Sequence, residues 1–165
     1  METYRDILFS LFLWMAVSLS SNAAFFVDAA SAPGGVVVET LSKESSGPSV
    51  PVTRDHRYRS DVTLYIEGDN GERTPSGWST RVEDGAAREQ PFAFRPGVNL
   101  IEGWTMGVLE MEEGERALLH VPSALGYGPR AMGSKGGAFF IPANSNLLFD
   151  IKILGKEGEK EPTEL

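Results

Sequence analysis

Apolar and polar residues alternate with a period of two in two parts of the chain, and both parts predict β-strands. The longer one runs from Leu147 to Leu154, where the apolar residues share one face of an extended chain and the charged residues share the other. The apolar set is Leu147, Phe149, Ile151 and Ile153, and the charged pair is Asp150 and Lys152. This pattern predicts a strand with one face in the core.

The shorter alternating stretch places Val62, Leu64 and Ile66 on one face and Thr63 and Tyr65 on the other. Runs of apolar and β-branched residues at 36–41 and 117–121 predict two further strands. Residues 42–59 are rich in serine, proline and charge, which predicts a loop with at most short strands.

A different period between Leu100 and Met111 predicts a short helix. Apolar residues recur there at three- and four-residue spacing, at Leu100, Ile101, Trp104, Val108 and Met111. Gly103 and Gly107 lie one turn apart in the same stretch, and each costs about 1 kcal/mol relative to alanine inside a helix. We therefore expect the helix to press closely onto another element. Strands wrapped over one short helix make an α+β domain.

Charge and composition narrow the possible functions. The chain of 165 residues has a formal net charge of −8 and no cysteine. A non-specific binder of nucleic-acid phosphates is therefore not expected, and disulfides and cysteine nucleophiles are excluded. His56 and His120 show no ligand spacing, so no metal site is predicted. The carboxylates cluster at residues 110–115 and 157–164, which predicts a solvated turn and a solvated tail.

The N-terminus predicts a leader. Residues 7–17 form an uncharged and mostly apolar run, shorter than the ~20 residues of a membrane-spanning helix and typical of a signal-peptide core. Small residues that suit cleavage end at Ala24 and at Ala32, and an uncleaved anchor is the alternative. We expect a leader over residues 1–32, one domain over residues 33–156, an acidic disordered tail over residues 157–165, and no stable membrane span.

Both ends of the chain bear on its compartment. The ending Thr163-Glu164-Leu165 resembles degenerate forms of the Lys-Asp-Glu-Leu retention signal. Together with a cleaved leader, it predicts the secretory pathway and the lumen of the endoplasmic reticulum. A frayed acidic tail would fit the same ending, and secretion would then follow. Phe25 after a cut at Ala24 resembles the leader of complex plastids, so a plastid is a further alternative.

Six short motifs occur in the order and near the spacing found in the FKBP family of peptidyl-prolyl cis/trans isomerases, which the chain resembles. They are PFAF at 91–94, LIEGW at 100–104, MEEGER at 111–116, VPSALGYG at 121–128, IP at 141–142 and LLFD at 147–150. The resemblance is weaker over residues 36–42 and poor between residues 66 and 90. It implies a twisted antiparallel β-sheet wrapped around one short α-helix, with an aromatic hollow between them.

The resemblance also implies which residues form the hollow. Trp104 would be its floor, and the Ile101 main-chain N–H and the Tyr127 hydroxyl would bind substrate carbonyls. Carried over by position, the residues with a catalytic role are Tyr127, Trp104, Phe92, Ile101 and Phe149, and those that bind substrate are Tyr65, Trp78, Ser79, Leu100 and Ile141. Ser79 stands where the family has an aspartate that bonds the pocket tyrosine, so we expect turnover to be slow.

The function implied by the resemblance is isomerisation of X–Pro bonds during protein folding. The alternative is a degenerate FKBP-like module that binds proline without useful turnover. Either way, the expected partners are proline-containing polypeptides and tacrolimus-class macrolides, with no cofactor and no metal. The protein is expected to act as a monomer.

Overall fold

The computed structural model of the chain describes residues 29–31, 35–44, 48–81 and 90–158. Almost all of the predicted leader, with its apolar run and the cleavage contexts at Ala24 and Ala32, lies outside the described residues. The predicted tail lies outside them from residue 159 onward.

Nine strands and one short helix make up the described fold. The strands are β1 (Ala29–Ser31), β2 (Val37–Lys43), β3 (Tyr58–Glu67), β4 (Arg73–Ser79), β5 (Phe92–Phe94), β6 (Glu115–Val121), β7 (Met132–Gly133), β8 (Phe140–Ile141) and β9 (Asn146–Lys156); the helix is α1 (Glu102–Val108), and a 3-10 turn covers Ser123–Leu125. Seven strands form an antiparallel sheet in the order β1-β2-β6-β9-β3-β4, with β5 paired to β3. Strands β7 and β8 form a separate hairpin. The α+β class is therefore confirmed.

The inner face of the sheet is the one that the alternating pattern predicts. Along β9 the side chains of Leu147, Phe149, Ile151 and Ile153 all belong to the buried core. β9 lies at the centre of the sheet, where Phe149 pairs with Leu119 of β6 on one side and with Leu64 of β3 on the other. The hydrophobic effect thus selects one face, because shifting a strand by one residue would expose its whole apolar set.

Two glycines allow α1 to lie directly on β6. A β-carbon at Gly103 would overlap the Val121 side chain, and one at Gly107 would overlap the Leu119 side chain. The predicted close approach of the helix is confirmed, because both glycines face β6 and leave room for its branched side chains. The helix is shorter than the sequence predicts, beginning at Glu102 and ending at Val108. No helix in the described ranges is both long and apolar enough to cross a bilayer.

The outer face of the sheet carries an ion cluster around the buried Asp150. Arg81 donates to both Asp150 carboxylate oxygens, at 2.7 and 2.8 Å. Arg116 does the same, at 2.7 and 3.0 Å. Burial alone would raise the pKa of Asp150, but the hydrogen bonds from Arg116 and Arg81 outweigh it, so the pKa lies below its ordinary value of 3.8. The cluster joins β9 to β6 and to the chain that follows β4.

Candidate active site

An apolar cavity of about 450 Å³ opens between α1, the inner face of the sheet and the β7–β8 hairpin. Its volume is within the range of small-molecule sites. It is lined by Leu64, Trp78, Phe92, Asn99, Leu100, Ile101, Trp104, Tyr127, Met132, Phe139, Ile141 and Phe149. Ten of these twelve side chains carry no amide or hydroxyl group; the exceptions are Asn99 and Tyr127. Among the ten, only the two tryptophans have a donor, the indole N–H. The cavity therefore favours an apolar ligand.

Trp104 is the floor of the cavity. Its side chain is only 3% exposed, and its ring lies edge-on to Phe149, with centroids 4.8 Å apart, and edge-on to Phe92 at 5.6 Å. Trp78 in turn contacts the Phe92 ring edge-on at 5.7 Å. These T-shaped contacts are the arrangement that aromatic quadrupoles favour. These ring contacts therefore hold Trp104 in the floor of the cavity.

Helix α1 places Trp104 because the chain turns sharply just before it. Asn99 has a positive φ of 54° and Ile101 is extended (φ −62°, ψ 150°), so the helix begins at Glu102 and Trp104 lies in its first turn. The Ile101 main-chain N–H precedes this turn and has no hydrogen-bond partner among the described residues. It is thus free to donate to a ligand.

Tyr127 supplies the second polar group. The 3-10 turn before it is pinned by the Ser123 N–H, which donates to Asn146 Oδ1 at 3.0 Å, and by the Gly128 N–H, which donates to the Ser123 carbonyl at 2.9 Å. Burial raises the pKa of the Tyr127 hydroxyl, so the group stays protonated and able to donate. No protein atom in the described part of the chain accepts a hydrogen bond from it.

Eight of the ten residues predicted for the hollow line this cavity. They are Trp78, Phe92, Leu100, Ile101, Trp104, Tyr127, Ile141 and Phe149. The structure does not bring Tyr65 and Ser79 to it. Tyr65 lies on β3 beside Leu64, which lines the cavity instead. Because neighbours on a strand face opposite sides, Tyr65 is on the outer face, as the alternation of β3 itself predicts.

A bulge in β4 explains the misplacement of Ser79. Thr63 pairs with Ser79 and Tyr65 pairs with Pro75, so the segment from Ser76 to Trp78 stands opposite Leu64 alone. The Ser76 hydroxyl donates to the Leu64 carbonyl at 2.7 Å and accepts from the Trp78 N–H at 3.1 Å. Such a bulge redirects side chains locally. It turns Trp78 toward the cavity.

Ser79 then shares the outer face with Thr63. Their hydroxyls are 2.7 Å apart, and the Ser79 hydroxyl also accepts from the Arg81 N–H at 3.1 Å. The prediction that Ser79 lies in the hollow beside Tyr127 was therefore wrong. The lack of a charge at Ser79 therefore gives no reason to expect slow turnover.

Sequence reasoning missed four residues of the cavity: Leu64, Asn99, Met132 and Phe139. The signal for Leu64 was present, since it shares a predicted face with Val62. Met132 and Phe139 flank a glycine-rich segment with Gly133, a pattern typical of a hairpin turn between two apolar positions. Asn99 follows Pro96-Gly97, which predicts a turn but gives no indication of a cavity.

Comparisons with known proteins point to one family. The profile of a family described as FKBP-type peptidyl-prolyl cis-trans isomerase matches residues 57–154. FK506-binding protein 2 of Gibberella zeae is 31% identical over 149 residues, covering 87% of this chain and 69% of that protein. The chloroplastic peptidyl-prolyl cis-trans isomerase FKBP13 of Arabidopsis thaliana is 43% identical over 76 residues, covering 42% of this chain and 36% of that protein. The chain thus spans only part of these relatives.

A solved structure gives the same result for the fold. The crystal structure of AtFKBP13 superimposes with a TM-score of 0.59 at 28% sequence identity, and the match covers 79% of this chain and 99% of that one. The antiparallel sheet with one short helix is thus a shared architecture, and the cavity described above lies within it.

Proposed function

The chain belongs to the FKBP-type peptidyl-prolyl cis-trans isomerase family, and we propose that it accelerates rotation about X–Pro peptide bonds in proline-containing polypeptides. The observation that supports this most is the apolar cavity floored by Trp104, with the Ile101 N–H and the Tyr127 hydroxyl at its edge, neither of which donates to another described residue. A pyrrolidine ring matches such a floor in size and polarity.

The chemistry requires no acid, base or nucleophile. Rotation is slow because it breaks amide resonance, at a barrier of about 18–20 kcal/mol. The planar ground state is strongly dipolar, while the twisted transition state has lost that resonance. A dry apolar cavity therefore disfavours the planar form more than the twisted form, which is differential binding of the transition state. Charge transfer to the protein is not needed at any step.

Different residues of the cavity would bind different parts of the substrate. Trp104, Phe92 and Phe149 hold the pyrrolidine ring, because they form the aromatic floor. The Ile101 N–H and the Tyr127 hydroxyl bind the carbonyls beside the bond. Trp78, Leu100 and Ile141 close the sides of the cavity and bind the flanking residues. Tacrolimus-class macrolides, with an apolar ring and neighbouring carbonyls, would occupy the same space.

A second candidate function is binding of proline segments without useful turnover. One observation favours it: no carboxylate belongs to the described residues that line the cavity, so none of these residues holds the Tyr127 hydroxyl by a charge-assisted hydrogen bond. A hydroxyl without such a partner lacks one source of the preorganisation on which transition-state stabilisation depends.

Turnover of a chromogenic X–Pro tetrapeptide by the purified protein distinguishes the two functions. We expect a protein-dependent rate above the slow uncatalysed isomerisation, which takes tens to hundreds of seconds at 25 °C, and we expect a tacrolimus-class macrolide to suppress it. Binding of the macrolide without any rate above background would favour the binding module. Absence of both would reject the cavity as the functional site.

For the compartment, we propose that the leader is cleaved after Ala24 and that the protein enters the secretory pathway, with a plastid as the alternative. The support is β1, since Ala29–Ser31 pairs with Val37–Glu39 of β2 and completes one edge of the sheet. A cut after Ala24 keeps this strand, whereas a cut after Ala32 removes it. Edge strands left open invite pairing with other chains.

N-terminal sequencing of the protein from its own cells is the measurement that decides the cleavage site. We expect the mature chain to begin at Phe25. A chain that begins at Pro33 would contradict the proposed site, and an intact Met1 would contradict a cleaved leader altogether.

Imaging a reporter fused behind residues 1–60 separates the secretory pathway from a plastid. Removal of residues 163–165 should increase secretion if the ending is a retention signal.

A further inference from the structure

The β7–β8 hairpin forms one wall of the cavity, although most of it stands in solvent. Residues 133–138 are exposed, while Met132 and Phe139 are partly buried and face the cavity. Two paired strands of two residues each hold the hairpin together, and a two-stranded ribbon of this size is marginal in water by itself. Its position over the cavity therefore depends on what it packs against.

Gly77, at the bulge of β4, is what the hairpin packs against. A β-carbon at Gly77 would overlap the Ala138 carbonyl oxygen and lie 3.2 Å from the Phe139 α-carbon. These are backbone atoms, which cannot turn aside as the end of a side chain can. Gly77 also has a φ of +88°, a conformation open mainly to glycine. Its neighbour Trp78 lines the same cavity as Phe139.

Within the hairpin, Gly133 and Phe139 are packed as closely as Gly77 is against the hairpin. A β-carbon at Gly133 would overlap the Phe139 carbonyl oxygen and lie 2.9 Å from the Phe139 ring. The ring is thus laid over Gly133, and the main chain of the same residue rests on Gly77. Phe139 has contacts on both sides that leave no room for a methyl group. Small shifts of either glycine would move the ring that forms the wall.

We propose that Gly77 is a positioning residue for substrate selection. By packing against Ala138 and Phe139 it fixes the hairpin, and thereby sets the width of the wall that contacts the side chain next to the proline. The inference rests on the proposed function for its substrate. The proline ring occupies the Trp104 floor, so the flanking side chain is the part of the substrate that reaches Met132 and Phe139.

The test is Gly77→Ala, with Gly71→Ala as its matched control. Gly71 lies in the β3–β4 turn with a φ of +77°, and a β-carbon there meets nothing within 4 Å. Both variants therefore carry the strain of alanine at positive φ, but only Gly77→Ala pushes the hairpin away. We expect faster amide hydrogen exchange over residues 132–141 in Gly77→Ala alone.

The functional readout is a ratio of kcat/KM for two tetrapeptides with leucine or alanine before the proline. In Gly77→Ala we expect the leucine-to-alanine ratio to change by about fivefold or more, mainly through KM, because only the larger side chain reaches the displaced wall. The ratio for Gly71→Ala should match that of the unmodified protein. An unchanged ratio in Gly77→Ala, or unchanged exchange in its hairpin, overturns the proposal.

Phe139→Ala keeps the inference testable if Gly77→Ala does not fold. It retains the main-chain contact with Gly77 but removes the ring, so the same ratio should change in a protein that still unfolds in one cooperative transition. An unchanged ratio would mean that the wall does not contact the flanking side chain, and the proposal falls. If the parent protein shows no turnover, the proposed function fails; the ratio of Kd values for the same two peptides then decides this inference.

Discussion

Replacing Trp104 with leucine should weaken binding of a tacrolimus-class macrolide by about 100-fold and reduce kcat/KM for X–Pro peptides by a similar factor. Leucine keeps the position apolar but removes the flat ring that forms the floor. Losing contact over roughly 100 Å² of apolar surface costs about 2.5 kcal/mol, which corresponds to that factor in Kd. Calorimetric titration measures the affinity, and a protease-coupled assay measures the rate.

The same substitution leaves a space beneath the cavity, so stability needs its own control. Val108→Ala serves this purpose, because Val108 is fully buried on the same helix but does not line the cavity. We expect both variants to lose stability, since removal of buried apolar volume commonly costs about 1–4 kcal/mol, but only Trp104→Leu to lose affinity. Unchanged affinity in a folded Trp104→Leu protein would show that Trp104 is a core residue only.

Ser79→Asp gives the opposite comparison within the same assay. Since Ser79 lies on the outer face with Thr63 and not beside Tyr127, a carboxylate there should leave kcat/KM within about twofold of the parent value, well under 1 kcal/mol in the barrier. A marked gain in kcat/KM would mean that the side chain at position 79 reaches the cavity after all, and that a single charge changes the conformation of the β4 bulge.

Regular periodicity predicted the parts of this fold that depend on one face being apolar. For that reason β9, β3 and the presence of the helix were predicted correctly. The two glycines of the helix also indicated correctly that it lies directly on another element, which is β6. The face of Tyr65 shows the strength of this argument. The alternation of β3 placed Tyr65 on the face that Leu64 does not share, whereas alignment with the family placed it in the hollow. The structure agrees with the alternation.

The parts that sequence could not predict are those with no period to read. β4 contains proline and glycine, and its bulge inserts residues that no alternation anticipates, so the side assigned to Ser79 was wrong. The two-residue strands β7 and β8 are too short to show a pattern, which hid Met132 and Phe139. Asn99 depends on a turn with positive φ rather than on any apolar signal. In each case local backbone geometry, not hydrophobicity, positions the residue.

A clear loss of stability is expected from Asp150→Asn. The side chain of Asp150 is 12% exposed and accepts hydrogen bonds from Arg81 and Arg116, so the neutral amide leaves two cations facing each other without their shared anion. Breaking a buried ion pair by removing one partner costs about 3–5 kcal/mol. Because Arg116 is 43% exposed and regains water, we expect about 2–3 kcal/mol at pH 7, measured by chemical denaturation.

The pH dependence gives this prediction a sign. The pKa of Asp150 is depressed in the folded protein, so its charge stabilises the fold above the ordinary value of 3.8, and this contribution is lost as the pH falls through the lower folded pKa. The difference between the parent protein and Asp150→Asn should thus be constant near neutrality and shrink only below about pH 4. Glu44→Gln is the control, since it removes an exposed pair with Lys152 on the same strand, at 2.7 Å, and should cost less than about 1 kcal/mol. Equal losses in the two variants, or a difference that persists unchanged into acid, would mean that the charge of Asp150 does not hold β9 to β6 and to the end of β4.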